Sequence, residues 1–124
     1  MQTSKIRILI VDDDFEMLEM YRDLFEVEGF EMVTSSSPIE ALEIYKKNKN
    51  IKLIISDSNM REMSGLDFLR SLKELYKTIP IFYIVTGDLD HSEENIKLLG
   101  GHGLVLKPFD LDEILIKIRA DLKI

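Results

Sequence analysis

Acidic side chains stand at two places in the sequence where a short apolar run ends. Three consecutive aspartates, Asp12, Asp13 and Asp14, follow the first run, and Asp57 comes just after another. Two carboxylates about 5 Å apart repel by roughly 3 kcal/mol at an effective dielectric constant of about 20, so converging carboxylates need a cation or a shared proton. A few oxygen ligands with room for water suit Mg²⁺ better than zinc. The sequence therefore predicts a Mg²⁺ site on Asp12 and Asp13 beside Asp57, with Mn²⁺ as the alternative metal.

A carboxylate at such a site can attack phosphorus and form an aspartyl phosphate. Phosphoryl transfer requires groups that neutralise the charge on the equatorial oxygens, and a metal ion, an ammonium and a hydroxyl can do this together. Thr86 and Lys107 also follow apolar runs, and they supply the hydroxyl and the ammonium. We therefore interpret Asp57 as a phosphoacceptor that is assisted by Thr86 and Lys107.

Each of these residues also has a purely structural interpretation. An aspartate after a strand commonly caps a turn, and a single aspartate suffices to cap the helix that follows the first run. We expect Asp14 to be that cap. Thr86 alone would be a strand end, and Lys107 alone would be a solvated charge. The metal and phosphate interpretation is favoured because acidic, hydroxyl and ammonium groups recur at four separate strand ends.

The hydrophobic pattern predicts the elements that position these residues. Short apolar runs predict buried strands, and apolar residues at helical spacing predict helices between them. Gly29 and Pro38 stand at predicted helix boundaries, Ser37 and Glu40 form a predicted capping box, and Asp110 with Glu113 is predicted to cap the last helix. The predicted strands are 5–11, 30–34, one centred on 53–55, 81–85 and 104–106, and the predicted helices are 15–28, 38–48, 65–76, 90–99 and one that starts at Asp110.

Five repeats of a strand followed by a helix predict an α/β fold, with a parallel sheet covered by helices on both faces. Five units fit the doubly wound, flavodoxin-like strand order 2-1-3-4-5. In that order the first and third strands are neighbours, so Asp12 and Asp13 are expected beside Asp57. The helix residues expected in the core include Met17, Met20, Tyr21, Leu24, Phe25, Ala41, Leu42, Tyr45, Leu66, Leu69, Leu72, Leu75, Leu111, Ile114, Leu115 and Ile118.

The composition excludes several classes of protein. The 124 residues suffice for one domain, 1–124, and no linker or second apolar block indicates another. The net charge of −7 argues against nucleic-acid binding, which requires basic residues that neutralise phosphates. The apolar runs are too short to cross a membrane, and cysteine is absent, so the cytoplasm is favoured. His91 and His102 lack metal-ligand spacing and are expected at the surface.

The acid pair, the acceptor aspartate, the threonine and the Lys-Pro pair, in this order, resemble the receiver domain of bacterial two-component response regulators. The resemblance covers the whole chain. Residues 57–65, with the sequence DSNMREMSG, are similar to that family's Asp-x-x-Met-Pro-x-Met-x-Gly loop. The metal ligands that the resemblance implies are the side chains of Asp12, Asp13 and Asp57 and the backbone carbonyl of Asn59.

The resemblance also implies an activity. Asp57 would accept a phosphoryl group from the phosphohistidine of a sensor histidine kinase or histidine phosphotransfer protein and later lose it by hydrolysis. Such a chain is no conventional enzyme, but Mg²⁺-dependent self-phosphorylation from phosphodonors and autodephosphorylation are expected. The added charge would shift the face of the fourth helix, fifth strand and fifth helix toward a downstream protein. We expect a stand-alone module that is a monomer or a phosphorylation-dependent dimer.

The sequence departs from the family pattern at three positions. Arg61 replaces the usual proline, and we expect this change to loosen the turn without touching a ligand. Leu104 replaces the usual aromatic residue that moves with Thr86. Gly87, after Thr86, is smaller than the usual residue.

Lys107 and Pro108 match the family pattern, and the resemblance implies a cis peptide bond between them.

Other functions compete with this interpretation. Asp12, Asp13 and Asp14 also resemble the Asp-x-Asp motif of haloacid dehalogenase-type phosphohydrolases, in which Asp12 would be the nucleophile and Asp57 dispensable. A flavin-binding relative with the same strand order is disfavoured, because three aspartates would repel the flavin phosphate. A degenerate receiver that serves only as an interaction module is a further alternative. The full set of acids, Thr86 and Lys107 argues against it.

Overall fold

The computed structural model describes residues 5–87, 93–108 and 110–124 of the protein. Within these residues, five parallel strands form one sheet in the order 2-1-3-4-5, which confirms the doubly wound, flavodoxin-like α/β fold. The strands are β1 (Arg7–Val11), β2 (Glu31–Ser35), β3 (Ile51–Asp57), β4 (Ile81–Thr86) and β5 (Gly103–Leu106). The helices are α1 (Phe15–Val27), α2 (Pro38–Lys47), α3 (Gly65–Leu75), α4 (Glu93–Leu98) and α5 (Leu111–Leu122).

The register of the central strands aligns the residues that follow them. Val11 of β1 lies opposite Ser56 of β3, and Asp57 lies opposite Val85 of β4. Asp12, which follows Val11, therefore emerges next to Asp57 at the carboxyl edge of the sheet. The adjacency that the strand order predicted is a consequence of this pairing.

The central strands β1, β3 and β4 are largely buried on both faces, as their apolar sequences predicted, whereas most residues of the edge strands β2 and β5 are only partly buried. Leu53, Ile54 and Ile55 are each at most 2% exposed, because alternate residues enter different core clusters. One cluster lies between the sheet and helices α1 and α5, and the other lies between the sheet and helices α2, α3 and α4. A Leu-to-Ala change in such a core typically costs 2–5 kcal/mol, so the two clusters stabilise the sheet that carries the site.

The predicted capping boxes form only in part. Ser37 accepts a hydrogen bond from the backbone N–H of Glu40 at 3.1 Å, as predicted. The Glu40 carboxylate accepts from the Ser35 hydroxyl at 2.9 Å instead of from the backbone of Ser37. Asp110 caps α5 by accepting from the N–H of Asp112 at 2.8 Å. The Ser35 hydroxyl at the end of β2 therefore replaces the backbone N–H of Ser37 as the donor to Glu40.

Two predicted core residues are exposed. Leu75 is 62% exposed because it is the last residue of α3, and the next residue, Tyr76, packs edge-on against Tyr45 with ring centroids 5.1 Å apart. Met20 is 43% exposed on α1. Phe68, which was absent from the predicted stripe, is fully buried against the sheet.

The fourth unit is described from Glu93 onward. The predicted start of its helix at residues 90–92, and with it His91, lies outside the described residues. The helix ends before Gly100, whose φ of +96° is a conformation that glycine adopts without strain. His102 is exposed as predicted, but its Nδ1 accepts the N–H of Phe82 at 3.1 Å and so extends the pairing of β4. No helix in the described part of the chain is long and apolar enough to cross a membrane.

Candidate functional site at the carboxyl edge of the sheet

Asp57 is the last residue of β3, and both of its carboxylate oxygens have a donor. The Lys107 ammonium donates to Oδ1 at 2.5 Å, and the backbone N–H of Asn59 donates to Oδ2 at 3.1 Å. The side chain is 8% exposed, so it is nearly buried yet remains open at the edge of the sheet. These contacts orient the carboxylate at the edge of the sheet.

Lys107 reaches Asp57 from the end of β5. Its backbone N–H donates to the carbonyl of Thr86 at 2.8 Å, which continues the pairing of β5 with β4, and its peptide bond to Pro108 is cis. Burial alone would lower the pKa of the ammonium, but the hydrogen bond to Asp57 and the charges of nearby aspartates outweigh burial and raise that pKa above its ordinary value. Lys107 therefore supplies a permanent positive charge next to Asp57.

Asp12 is a buried acid at the same edge, and it is 4% exposed. Burial raises the pKa of its carboxyl to about 6, while the N–H of Asp14, which donates to Oδ1 at 2.9 Å, opposes the rise. The negative charge of Asp57 raises the same pKa further, and the positive charge of Lys107 lowers it. The positive charge of Lys107 therefore does not compensate for the burial of the Asp12 carboxylate and its repulsion by Asp57.

Asp14 caps helix α1, as the sequence indicated. Its Oδ1 accepts hydrogen bonds from the N–H of Glu16 at 3.0 Å and of Met17 at 3.3 Å. The carboxylate is exposed and also lies at the positive end of the helix dipole. Asp12 and Asp13 are therefore spared the capping role.

Asp13 faces the loop after β3, and the prediction that Arg61 touches no ligand is wrong. The backbone N–H of Arg61 donates to Asp13 Oδ2 at 3.1 Å, and the Arg61 guanidinium lies 3.7 Å from the same oxygen. A proline at position 61 would have neither the N–H nor the charge. The departure from the family loop therefore adds two donors to one of the predicted metal ligands.

Thr86 is the last residue of β4 and is 1% exposed. It follows Val85, whose carbonyl accepts the N–H of Ser58 at 3.0 Å, so the loop after Asp57 is tied to the end of β4. Gly65 closes the same loop, because a Cβ at this position would lie 2.5 Å from the carbonyl oxygen of Asp57. The close approach explains why glycine stands here at the start of α3.

The donor set fits a hard divalent cation, although Asp13 is engaged elsewhere. Asp12 and Asp57 offer oxygen ligands close enough for their charges to interact, and the surplus of negative charge favours a cation. Among residues 5–87, 93–108 and 110–124, no three His, Cys, Asp or Glu side chains are already arranged as metal ligands. Asp13 contacts Arg61, and Asp57 contacts Lys107.

Tyr21 is a residue of this region that the sequence did not assign to it. Burial raises the pKa of its phenol, and the charges of Asp12, Asp57 and Asp14 raise it further, so its hydroxyl lies within the field of the acids. The sequence predicted Tyr21 only as part of the inner face of α1. The available signal was a tyrosine on that face, seven residues or about two helical turns after Asp14.

Comparisons with known proteins agree on one family. The family model described as the response regulator receiver domain matches residues 8–119. The CpxR homolog of Haemophilus influenzae, a transcriptional regulatory protein, is 30% identical over 117 residues, which cover 94% of this chain and 50% of that protein. The heme response regulator HssR of Staphylococcus saprophyticus is 36% identical over 115 residues, or 93% of this chain and 50% of that protein. The chain spans about half the length of the curated relatives it matches.

Solved structures give the same result. The chemotaxis protein CheY4 of Vibrio cholerae has a TM-score of 0.81 at 27% identity, covering 94% of this chain and 98% of that one. A response regulator receiver domain protein from Clostridium thermocellum has a TM-score of 0.80 at 31% identity, covering 96% of this chain and 99% of that one. The similarity therefore extends over nearly the entire sheet and its helices.

Proposed function

The chain belongs to the response regulator receiver domain family, and from this membership we propose that Asp57 is its phosphoacceptor. The donor is the phosphohistidine of a sensor histidine kinase or of a histidine phosphotransfer protein. Residues 1–124 act as one receiver domain within this proposal. The observation that supports it best is the 2.5 Å contact between the Lys107 ammonium and the Asp57 carboxylate, beside the buried Asp12.

The reaction follows from the groups at the edge of the sheet. An oxygen of the Asp57 carboxylate attacks phosphorus and forms an acyl phosphate, while the P–N bond breaks and the histidine nitrogen keeps the electron pair and takes a proton from solvent. The Lys107 ammonium balances the growing negative charge, and the Thr86 hydroxyl donates to a phosphoryl oxygen. Water attack on the same phosphorus later returns the free carboxylate.

A divalent cation completes this site. The side chains of Asp12, Asp13 and Asp57 and the backbone carbonyl of Asn59 would hold Mg²⁺, or Mn²⁺ in its place, and the cation would neutralise charge on the phosphoryl oxygens. Hard oxygen donors in this number are typical of Mg²⁺ sites that keep several waters. The excess of carboxylates over cations around Asp12 supports this assignment.

The face of α4, β5 and α5 would carry the signal to a downstream protein. The Glu93 carboxylate at the start of α4 accepts the N–H of Leu104 in β5 at 3.2 Å and lies 3.4 Å from the ammonium of Lys117 in α5. One side chain therefore contacts all three elements. Leu104 is half-buried and has no aromatic ring to move with Thr86. We therefore propose that phosphorylation changes this face by breaking the contacts of Glu93 with Leu104 and Lys117.

Labelling with a radioactive small phosphodonor, such as acetyl phosphate, tests the phosphoacceptor. In the presence of Mg²⁺ we expect label on the wild type and on Asp23→Asn, an exposed control on α1, and none on Asp57→Asn. Asp12→Asn should take up label slowly but still at Asp57. Label retained in Asp57→Asn and lost in Asp12→Asn would instead favour a phosphohydrolase with Asp12 as nucleophile. Absence of label in every variant would favour a degenerate receiver.

A further inference from the structure

The contact between Arg61 and Asp13 joins the loop after β3 to the acid pair after β1. Two donors of the same residue, the backbone N–H at 3.1 Å and the guanidinium at 3.7 Å, approach one oxygen, Asp13 Oδ2. The Arg61 side chain is 89% exposed, whereas the Asp13 side chain is 27% exposed. The backbone bond is therefore the better defined half of the contact, and solvent screens the charged half.

Both donors act on Asp13 in the way that a metal ion would. A carboxylate oxygen that already accepts a hydrogen bond and faces a positive charge attracts a second cation less strongly, because the two cations repel and compete for the same lone pairs. Occupation of Oδ2 also fixes the direction in which the carboxylate points. The contacts of Arg61 are with Asp13 and not with Asp12, on which the charge of Lys107 acts instead.

We propose that Arg61 is a positioning residue that holds Asp13 and lowers the affinity of the site for Mg²⁺. The inference rests on the proposed function, since it takes Asp13 as a ligand of the cation. Arg61 acts as an internal cation that Mg²⁺ must displace or share a ligand with. The residue at position 61 thereby sets the Mg²⁺ concentration at which the site is loaded.

Three variants separate the two donors from a general effect of charge. Arg61→Ala removes the guanidinium and keeps the N–H, whereas Arg61→Pro removes both. Arg70→Ala is the matched control, because Arg70 is an exposed arginine that pairs with Asp67 on α3 at 2.8 Å and lies on another element. Each variant changes the net charge by the same amount.

The measurement is the dissociation constant for Mg²⁺ by isothermal titration calorimetry, without a phosphodonor and at an ionic strength of about 0.15 M, where the Debye length is about 8 Å. We expect Arg61→Ala to bind Mg²⁺ about two- to five-fold more tightly, which corresponds to the loss of an exposed ion pair. Arg61→Pro should bind about ten-fold more tightly, because a hydrogen bond to the ligand is lost as well. Arg70→Ala should remain within about a factor of 1.5, since exposed charges beyond a Debye length are screened.

A second comparison in the Asp13→Asn background locates the effect. If Arg61 acts through Asp13, Arg61→Ala should leave the dissociation constant of Asp13→Asn unchanged. Equal or weaker Mg²⁺ binding by both Arg61 variants, an equal gain in Arg70→Ala, or a gain that persists without Asp13 would each overturn the inference. So would the absence of Mg²⁺ binding in every variant. If thermal melting shows that Arg61→Pro is not folded, Arg61→Ala alone and Arg61→Ala combined with Asp13→Asn still test the inference.

Phosphorylation at saturating Mg²⁺ distinguishes this inference from the proposed function. The wild type and Arg70→Ala should then label Asp57 equally, because Arg70 pairs with Asp67 on α3 and belongs to no proposed site. Normal labelling with unchanged Mg²⁺ affinity would refute the role of Arg61 and leave the phosphoacceptor intact. Altered Mg²⁺ affinity without labelling of Asp57 would support the role of Arg61 and refute the proposed function.

Discussion

Charges are paired at the amino end of strand β1, whereas negative charge is in excess at its carboxyl end. At the amino end, the Arg7 guanidinium pairs with Glu31, which lies directly opposite it on β2, and also donates to Asn50 at 3.1 Å. At the carboxyl end, Asp12 is buried beside Asp57 with Lys107 as the principal cation nearby. At the amino end, Arg7 and Glu31 neutralise each other in an ion pair. At the carboxyl end, the carboxylates Asp12 and Asp57 leave an excess of negative charge beside Lys107.

Under the proposed function, this difference separates residues that stabilise the fold from residues of the site along a single strand. A paired charge at the amino end adds modestly to stability and offers little to a ligand. A buried acid whose pKa is raised to about 6 reduces stability at neutral pH, because the folded chain must hold a charge that burial disfavours. The excess of negative charge around Asp12 would attract a cation, which the proposed phosphoryl transfer needs.

The largest effect expected from this contrast is on phosphorylation. Lys107→Ala should slow labelling of Asp57 by about 100- to 1,000-fold, which is typical of the loss of one group that stabilises transition-state charge. Arg7→Ala, from the opposite end, should label at the wild-type rate. Initial rates of label uptake at saturating Mg²⁺ provide the measurement. Similar rates in the two variants would remove the functional distinction between the ends.

The next effect is on stability and depends on pH. The pKa of Asp12 is raised by folding from 3.8 to about 6, so its contribution to stability is fully present below pH 3.8 and is lost as pH rises through 6. Asp12→Asn should therefore be more stable than the wild type at pH 7, by at most about 3 kcal/mol. The two proteins should converge near pH 4. Urea unfolding at both pH values measures this, and a constant difference would contradict the raised pKa.

The sequence predicted which residues meet at the carboxyl edge because two kinds of information were sufficient. Apolar runs located the strand ends, and the repeated strand and helix pattern gave an order in which the first and third strands are neighbours. Asp12, Asp57 and Lys107 follow from that order without any knowledge of side-chain conformation. The caps at Asp14 and Ser37 are local, so they could be predicted in the same way.

Partners chosen by side-chain direction could not be predicted. Arg61 was expected to touch no ligand, but its contact with Asp13 depends on the path of a loop that hydrophobic periodicity does not encode. Glu40 bonds to Ser35 rather than to the backbone for the same reason. Leu75 was placed in the core by helical spacing, but the helix ends there. Periodicity determines the face of a residue, whereas the length of the element determines whether anything covers that face.

A smaller effect comes from the cation itself. Mg²⁺ at ten times its dissociation constant should raise the free energy of unfolding by about 1.4 kcal/mol at pH 7.5. The rise should be smaller at pH 5, because a proton on Asp12 then competes with the cation. Thermal melting with Mg²⁺ and with K⁺ at equal ionic strength measures the difference. An equal shift in Asp12→Asn would place the cation elsewhere.

The smallest effect concerns the amino end. Arg7→Ala should lower the free energy of unfolding by about 1 kcal/mol, since its partner Glu31 is partly exposed and a pair of this kind contributes little. Glu31→Gln should produce a similar loss, and the double variant should lose less than the sum, because both changes break one contact. None of these variants should alter the Mg²⁺ dissociation constant, since the charge lies at the far end of the strand from Asp12. If Arg7→Ala did weaken Mg²⁺ binding, the two ends of β1 would be coupled, and the separation of stability from function along this strand would no longer hold.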